Sequence, residues 1–301
     1  MSVATSGSQA KIPNARRASE VEPRIAERVC CSAGLLPENY LEIFRKIAGR
    51  FELCLDANDE VVASLATVEI SDDAIYLGLM SMRRPEDWPY VYQLCKETVE
   101  KYSTKNVFAR VTDEMERACK ITEVLRVRSP WMLVKTVAKV MEPSRLVYRI
   151  PGVTTQPITP QNLKEVALYD ECVMKSQRDN YLTALTSDKG TFSRVAHEKG
   201  AVCGFLIMQP LPDSSAIATH LVANDKNVAK LLLLEAQSDY QPAARKGIVL
   251  VVPLVDEGNK PSSHGFAEDL QLLGDSVSCL LYSQCALPFA YKKIFSLGDF
   301  I

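Results

Sequence analysis

The succession helix, hairpin, strand, helix, strand occurs twice in this chain of 301 residues, and that repeat constrains the fold more than any other feature. In the first copy, residues 37–48 carry Tyr40, Leu41, Ile43, Phe44 and Ile47 at helical spacing, with Pro37 where a first turn tolerates it. Residues 51–55 and 61–70 flank a polar turn and read as a β-hairpin. Ser71, Asp72 and Asp73 then turn the chain into a third extended run, residues 74–82. Residues 90–102 place Val91, Leu94, Cys95 and Thr98 on one helical face; a strand at 106–111 and a helix at 113–125 follow.

The second copy opens with an amphipathic helix at 159–174. A hairpin at 193–197 and 201–208 turns through Lys199 and Gly200, glycine supplying the positive φ. An extended run at 216–223 leads to Asn224 and Asp225, which can cap a helix at 226–238, and residues 247–254 read as a buried, β-branched strand. The copies are joined by residues 142–155, broken by Pro143, Pro151 and Gly152. The expected organisation is a polar tail over residues 1–35, a first domain over 36–145 and a second over 146–301.

Apolar residues make up 47% and charged residues 24%, enough to bury a core, and the formal net charge of −2 gives no general basic field. Nucleic acid is therefore not an expected partner. The nine cysteines include no CxxC pair and no spaced Cys/His set, so neither a zinc site nor a disulfide framework is indicated and reduced intracellular thiols are expected. No apolar run approaches the roughly 20 residues of a membrane helix, and the N-terminus lacks a secretory pattern. A cytoplasmic location is expected, with mitochondrial import the alternative because residues 1–17 hold Lys11, Arg16 and Arg17 and no acid. Arg16-Arg17-Ala18-Ser19 has the spacing of a basophilic kinase site, or is simply a solvated charge cluster.

Antiparallel strands leading into a strand, a helix and a parallel strand resemble the GNAT superfamily of N-acyltransferases. The segment from Ile75 to Tyr90 is similar to that family's fourth strand and following turn, Leu77-Gly78-Leu79 to the strand ending and Arg84-Pro85-Glu86 to the lead-in. The tandem order and the segment from Ala223 to Leu232 resemble two-domain acetyltransferase-like proteins, nematode members included. The resemblance implies an α/β (α+β) fold of two GNAT-like domains, each a mixed, mainly antiparallel twisted sheet flanked by helices. It implies acetyl-CoA or another acyl-CoA as cofactor, its arm lying between two splayed parallel strands and its pyrophosphate at the turn into the next helix. The implied cofactor residues are Met80, Met82, Arg83, Arg84, Trp88 and Tyr90, with Lys226 as a basic residue in the second copy. The implied acceptor is a small-molecule or peptide amine, and a protein partner is compatible with the same fold.

The turn itself departs from the family. Where members carry a basic, glycine-rich turn, this chain has Asp87-Trp88-Pro89-Tyr90, in which proline removes an N–H and Asp87 adds negative charge. The second copy has Ala223-Asn224-Asp225-Lys226-Asn227, also without glycine. Acyl transfer needs a base for the ammonium proton and an acid for the leaving thiolate. Glu69, at the end of a hairpin strand, is the first candidate base and Asp113 the second, a strand-end surface residue and a helix cap being the plainer readings. The family's acidic tyrosine is missing from Arg117-Ala118-Cys119-Lys120, leaving Cys119, or Tyr282 and Tyr291 from the C-terminal strands. His197, His220 and His264 are too scattered for a metal or triad; His220 is a base candidate by placement alone. The alternative function is a catalytically inactive module of the same fold that binds a ligand or a protein.

Overall fold

The computed structural model describes residues 16–18, 46, 50–56, 58, 60–138, 141–255 and 262–298. The expected helix at 37–48, apart from Lys46, and Ser19 lie outside these residues. The first copy comprises β1 (Arg16–Ala18), β2 (Arg50–Leu55), β3 (Val61–Ser71), β4 (Ala74–Met82), α1 (Trp88–Lys101), β5 (Asn106–Thr112), α2 (Asp113–Cys119) and β6 (Val127–Ala138). The second comprises β7 (Val153–Pro157), α3 (Leu163–Met174), α4 (Asp179–Thr186), β8 (Phe192–Glu198), β9 (Ala201–Pro210), β10 (Ala216–Ala223), α5 (Lys226–Asp239), α6 (Gln241–Lys246), β11 (Ile248–Val255), α7 (Ser262–Asp269), β12 (Leu273–Tyr282) and β13 (Ile294–Leu297).

Local chemistry explains where these elements depart from the apolar pattern. Lys120 adopts the left-handed conformation (φ 47°) and stops α2 at Cys119, so residues 121–123 form only a 3-10 turn. Asn162 delays α3 to Leu163: its Oδ1 accepts from the Thr159 N–H at 2.7 Å and its Nδ2 donates to the Pro157 carbonyl. In the β8–β9 turn Lys199 and Gly200 both have positive φ, as a two-residue hairpin requires.

The strands form one mixed sheet in the order β1-β2-β3-β4-β5-β12-β6-β11-β10-β9-β8-β7, with β13 pairing β10 off this path. Read from either end, the order repeats with each strand exchanged for its counterpart six places away in the chain, so the copies are related by a pseudo-twofold between β12 and β6. Each copy's sixth strand has crossed to the other: β6 pairs β11 from Ile248–Ala138 to Val255–Trp131, while β12 pairs β5 from Ser278–Thr112 to Tyr282–Phe108. The repeat is thus a duplication within a continuous sheet.

Helix α1 covers Leu65, Ile75, Leu77 and Val107 on one face, and α5 covers Leu206, Leu221 and Leu250 in the second copy. The opposite face is shared between the copies. Phe108 lies 5.4 Å from Tyr76 and 5.5 Å from Tyr282, ring centre to ring centre, and the same apolar layer runs on to Phe205, Tyr181 and Leu182. No described helix is long and apolar enough to cross a membrane.

Candidate functional site

Each copy contains one pair of parallel strands whose pairing stops early. Strand β4 pairs β5 over Ala74–Asn106 to Leu77–Ala109 and no further, although β4 continues to Met82 and β5 to Thr112. On its other side β4 has a register shift opposite Leu65. An extra residue there bends the strand and aids the splay. Past Gly78 and Arg110, the facing edges carry no strand between them among the described residues.

In the second copy β10 pairs β11 only over Ala216–Ile248 and Ile217–Val249, with a register shift at Thr219. Here the gap is filled by the chain itself. Strand β13 pairs β10 through His220–Leu297, Leu221–Ser296 and Val222–Ile294. The Ser296 hydroxyl donates to the Ala218 carbonyl at 2.7 Å and accepts from the Val251 N–H of β11 at 2.9 Å, bridging the two edges. All four residues of β13 are buried, and Phe295 packs edge-on against Phe266 at 5.0 Å.

Where β4 enters α1, Arg83 is surrounded by carboxylates. Its Nη1 donates to Asp56 Oδ2 at 2.9 Å and Glu60 Oε2 at 3.0 Å, and Asp87 Oδ2 lies 3.7 Å from its Nε. The Arg83 hydrogen bond and two backbone N–H groups hold the Asp56 carboxyl below the usual carboxylate range. Asp87 is buried at the N-terminus of α1, where an incoming anion would sit, and Pro89 removes one N–H from the first turn. Arg84 is exposed and has no ion-pair partner among the described residues. Trp88 and Tyr90 pack half-buried against the apolar layer beneath α1, as do Met80 and Met82; the Trp88 ring meets Tyr92 at 6.0 Å and the Lys120 ammonium at 5.8 Å. The corresponding helix start in the second copy is capped by its own carboxylate: Asp225 accepts from the N–H groups of Asn227 and Val228. Lys226 is held by Asp269 at 2.9 Å.

The two candidate bases stand apart. Glu69 lies opposite Ile75 at the paired end of β4, half-exposed and 3.4 Å from the Lys105 ammonium, and it lines a cavity described below. Asp113 begins α2 at the wide end of the splay, exposed, with Thr112 rather than Asp113 supplying the cap to the Met115 N–H. Val107, the partner of Ile75, and Asp113 are six residues apart, roughly 20 Å of strand. Arg117 donates to the Asp113 carbonyl, and the side chain of Cys119 lies outside the described residues. Tyr282 is stacked in the shared core, its hydroxyl pKa raised by burial, and Tyr291 lies half-buried in a 3-10 turn. His197 faces Glu165 at 3.3 Å, and of His264 only the backbone is described. Among the described residues no group of His, Cys, Asp and Glu is arranged to hold a metal.

His220 occupies in β10 the place Gly78 holds in β4, counting from the first parallel pair of each copy. It is fully buried between Tyr181 at 5.5 Å and Phe205 at 6.3 Å, and neither ring nitrogen has a hydrogen-bond partner among the described residues. Burial, aided by the nearby Arg178 charge, holds its pKa well below the ordinary imidazole value. Sequence reasoning expected C-terminal strands around Tyr282 and Tyr291 but did not place β13 at Ile294–Leu297 or in the splay; the available signal was Ile294, Phe295 and Leu297 after a lysine pair.

No model of a known protein family matches the sequence, and no curated protein matches it. Solved structures do match in shape. A candidate acetyltransferase of Pyrococcus horikoshii superposes with a TM-score of 0.70 at 15% identity, over 96% of both chains. A tandem GNAT protein from the clavulanic acid biosynthesis pathway gives 0.62 at 10% identity, over 89% of this chain and 98% of its own. A GCN5-related N-acetyltransferase of Sphaerobacter thermophilus gives 0.59 at 13% identity, over 95% and 98%. The chain has the duplicated GNAT fold, a mixed α/β architecture with a twisted, mostly antiparallel sheet flanked by helices.

Proposed function

We propose that the protein is an acyl-CoA-dependent N-acyltransferase with one working cleft, the splay between β4 and β5. The observation that carries this reading is the contrast between the copies: the second splay is filled by β13, whereas in the first no strand lies between the two parting edges among the described residues. Buried backbone N–H and C=O groups need partners, and an extended arm rich in amides supplies them as a strand would. The fit is good along the arm and poorer at the phosphates. The edges from Gly78 to Met80 and Arg110 to Thr112 would hold the arm, and Arg84, which has no ion-pair partner among the described residues, would meet a phosphate, while Asp87 and Pro89 weaken the helix-end site. An acyl-CoA bound there supplies an acyl group already activated as a thioester. The edge N–H groups past Leu77 and Ala109 would steady the thioester oxygen, and Glu69, at the cavity wall, would take the proton from the acceptor's ammonium through solvent.

A second reading is a non-catalytic binding module. It is favoured by the carboxylates Asp87 and Asp225 at both helix starts, each where a phosphate would otherwise be drawn. Titration calorimetry of the full chain with acetyl-CoA separates the two. The acyltransferase reading expects one site per chain; undetectable heat up to about millimolar cofactor, an affinity weaker than about −4 kcal/mol, rejects it in favour of the second.

A further inference from the structure

Between the β3–β4 turn of the first copy and the α3–α4 corner of the second lies a cavity of about 870 Å³. Among the charged side chains that line it, acids outnumber bases. Glu69, Asp72 and Asp73 come from the first copy, and Glu171 and Asp179 from the second, against the ammonium groups of Lys46 and Lys175. Lys105 offsets Glu69 from outside.

The same cavity is lined by Arg178, whose side chain is 0% exposed. Its Nε and Nη2 donate to Asp170 Oδ2 and Oδ1 at 2.8 and 2.6 Å, leaving Nη1 without a partner among the described residues. A planar guanidinium that gives one edge to a carboxylate turns its remaining N–H groups to the opposite side. Ser176, on the same corner and lining the same cavity, has a buried hydroxyl that is also unpartnered among the described residues. A buried donor with no acceptor is costly, so the corner is suited to an oxygen brought by a ligand. The acidic rim suits a cation.

We propose that this cavity binds a zwitterion of the amino-acid class, its carboxylate or carbonyl oxygen accepting from Arg178 Nη1 and Ser176 Oγ and its ammonium facing the carboxylates of the rim. The site stands without acyl transfer; if the acyl-transfer reading holds, it presents the acceptor beside Glu69.

The test is calorimetry on the full chain without any CoA, using L-lysine, cadaverine (the same chain without the carboxylate) and hexanoate (without the amines). L-Lysine is expected to bind about tenfold tighter than either half-analogue. Ser176→Ala is expected to weaken L-lysine about fivefold and leave cadaverine unchanged. The solvent-exposed pair Asp72→Asn and Asp73→Asn should weaken both amines while leaving the melting temperature unchanged. Equal binding of L-lysine and cadaverine, or no binding of L-lysine at about 10 mM, overturns the proposal. Because no cofactor is present, that result is distinct from a failure of acetyl-CoA to bind.

Discussion

Beyond Leu77 and Ala109, β4 and β5 part with no strand between them among the described residues, whereas beyond Ile217 and Val249, β10 and β11 part around β13. The two splays arise from the same device, a short parallel pairing beside a register shift, so the difference lies in what satisfies the freed edges. In the second copy the chain does so itself, through main-chain pairing and the Ser296 hydroxyl. A splayed pair is therefore not by itself a cofactor site: it is a demand for hydrogen-bond partners that a strand or an amide-rich ligand can meet. Bulk follows the same division, with glycine at position 78 of the open edge and a buried imidazole at the equivalent 220.

The largest expected effect breaks the filled splay. Phe295 is fully buried against Phe266, and Phe295→Ala should cost about 3–5 kcal/mol of unfolding free energy, read from urea denaturation. A loss under about 1 kcal/mol would mean that β13 is a loosely held lid and would erase the contrast between the copies.

A middle-sized effect comes from His220. Its folded pKa is depressed well below the ordinary imidazole value of about 6.5, so the unfolded chain takes up a proton that the folded chain refuses. Stability is full above that value and falls as the pH drops below it, with a slope of up to about 1.4 kcal/mol per pH unit. His220→Phe, which keeps a ring between Tyr181 and Phe205, should flatten the melting-temperature profile between about pH 6.5 and 5. An unchanged slope would place the imidazole in contact with water.

The smallest effect sharpens the open side. Asp87→Asn removes the negative charge at the start of α1 and should tighten acetyl-CoA about threefold by calorimetry. Weaker binding would show that Asp87 acts by holding Arg83 in place.

Much of this arrangement was legible because it is local. Residues 74–82 and 216–223 read as strands to the residue, and the hairpin at Lys199-Gly200 followed from turn chemistry. The GNAT resemblance predicted the mixed sheet that the solved structures share. The crossing of β6 and β12 was not legible, since the partners of Trp131 and Thr136 on β11 lie more than a hundred residues away and leave no periodic mark. Helix α4 was missed for a related reason: Arg178 and Asp179 open it as polar residues, yet Arg178 is buried through its pairing with Asp170. At the candidate site the turn residues were found, but the capture of Arg83 by Asp56, Glu60 and Asp87 depends on how the β2–β3 turn folds back against the end of β4.

Amide hydrogen exchange of the full chain with and without saturating acetyl-CoA tests the central contrast directly. Slowed exchange confined to residues 78–82 and 110–112, with residues 218–223 and 250–252 unchanged, is the predicted result. Protection in the second segment pair, or in neither, would contradict it.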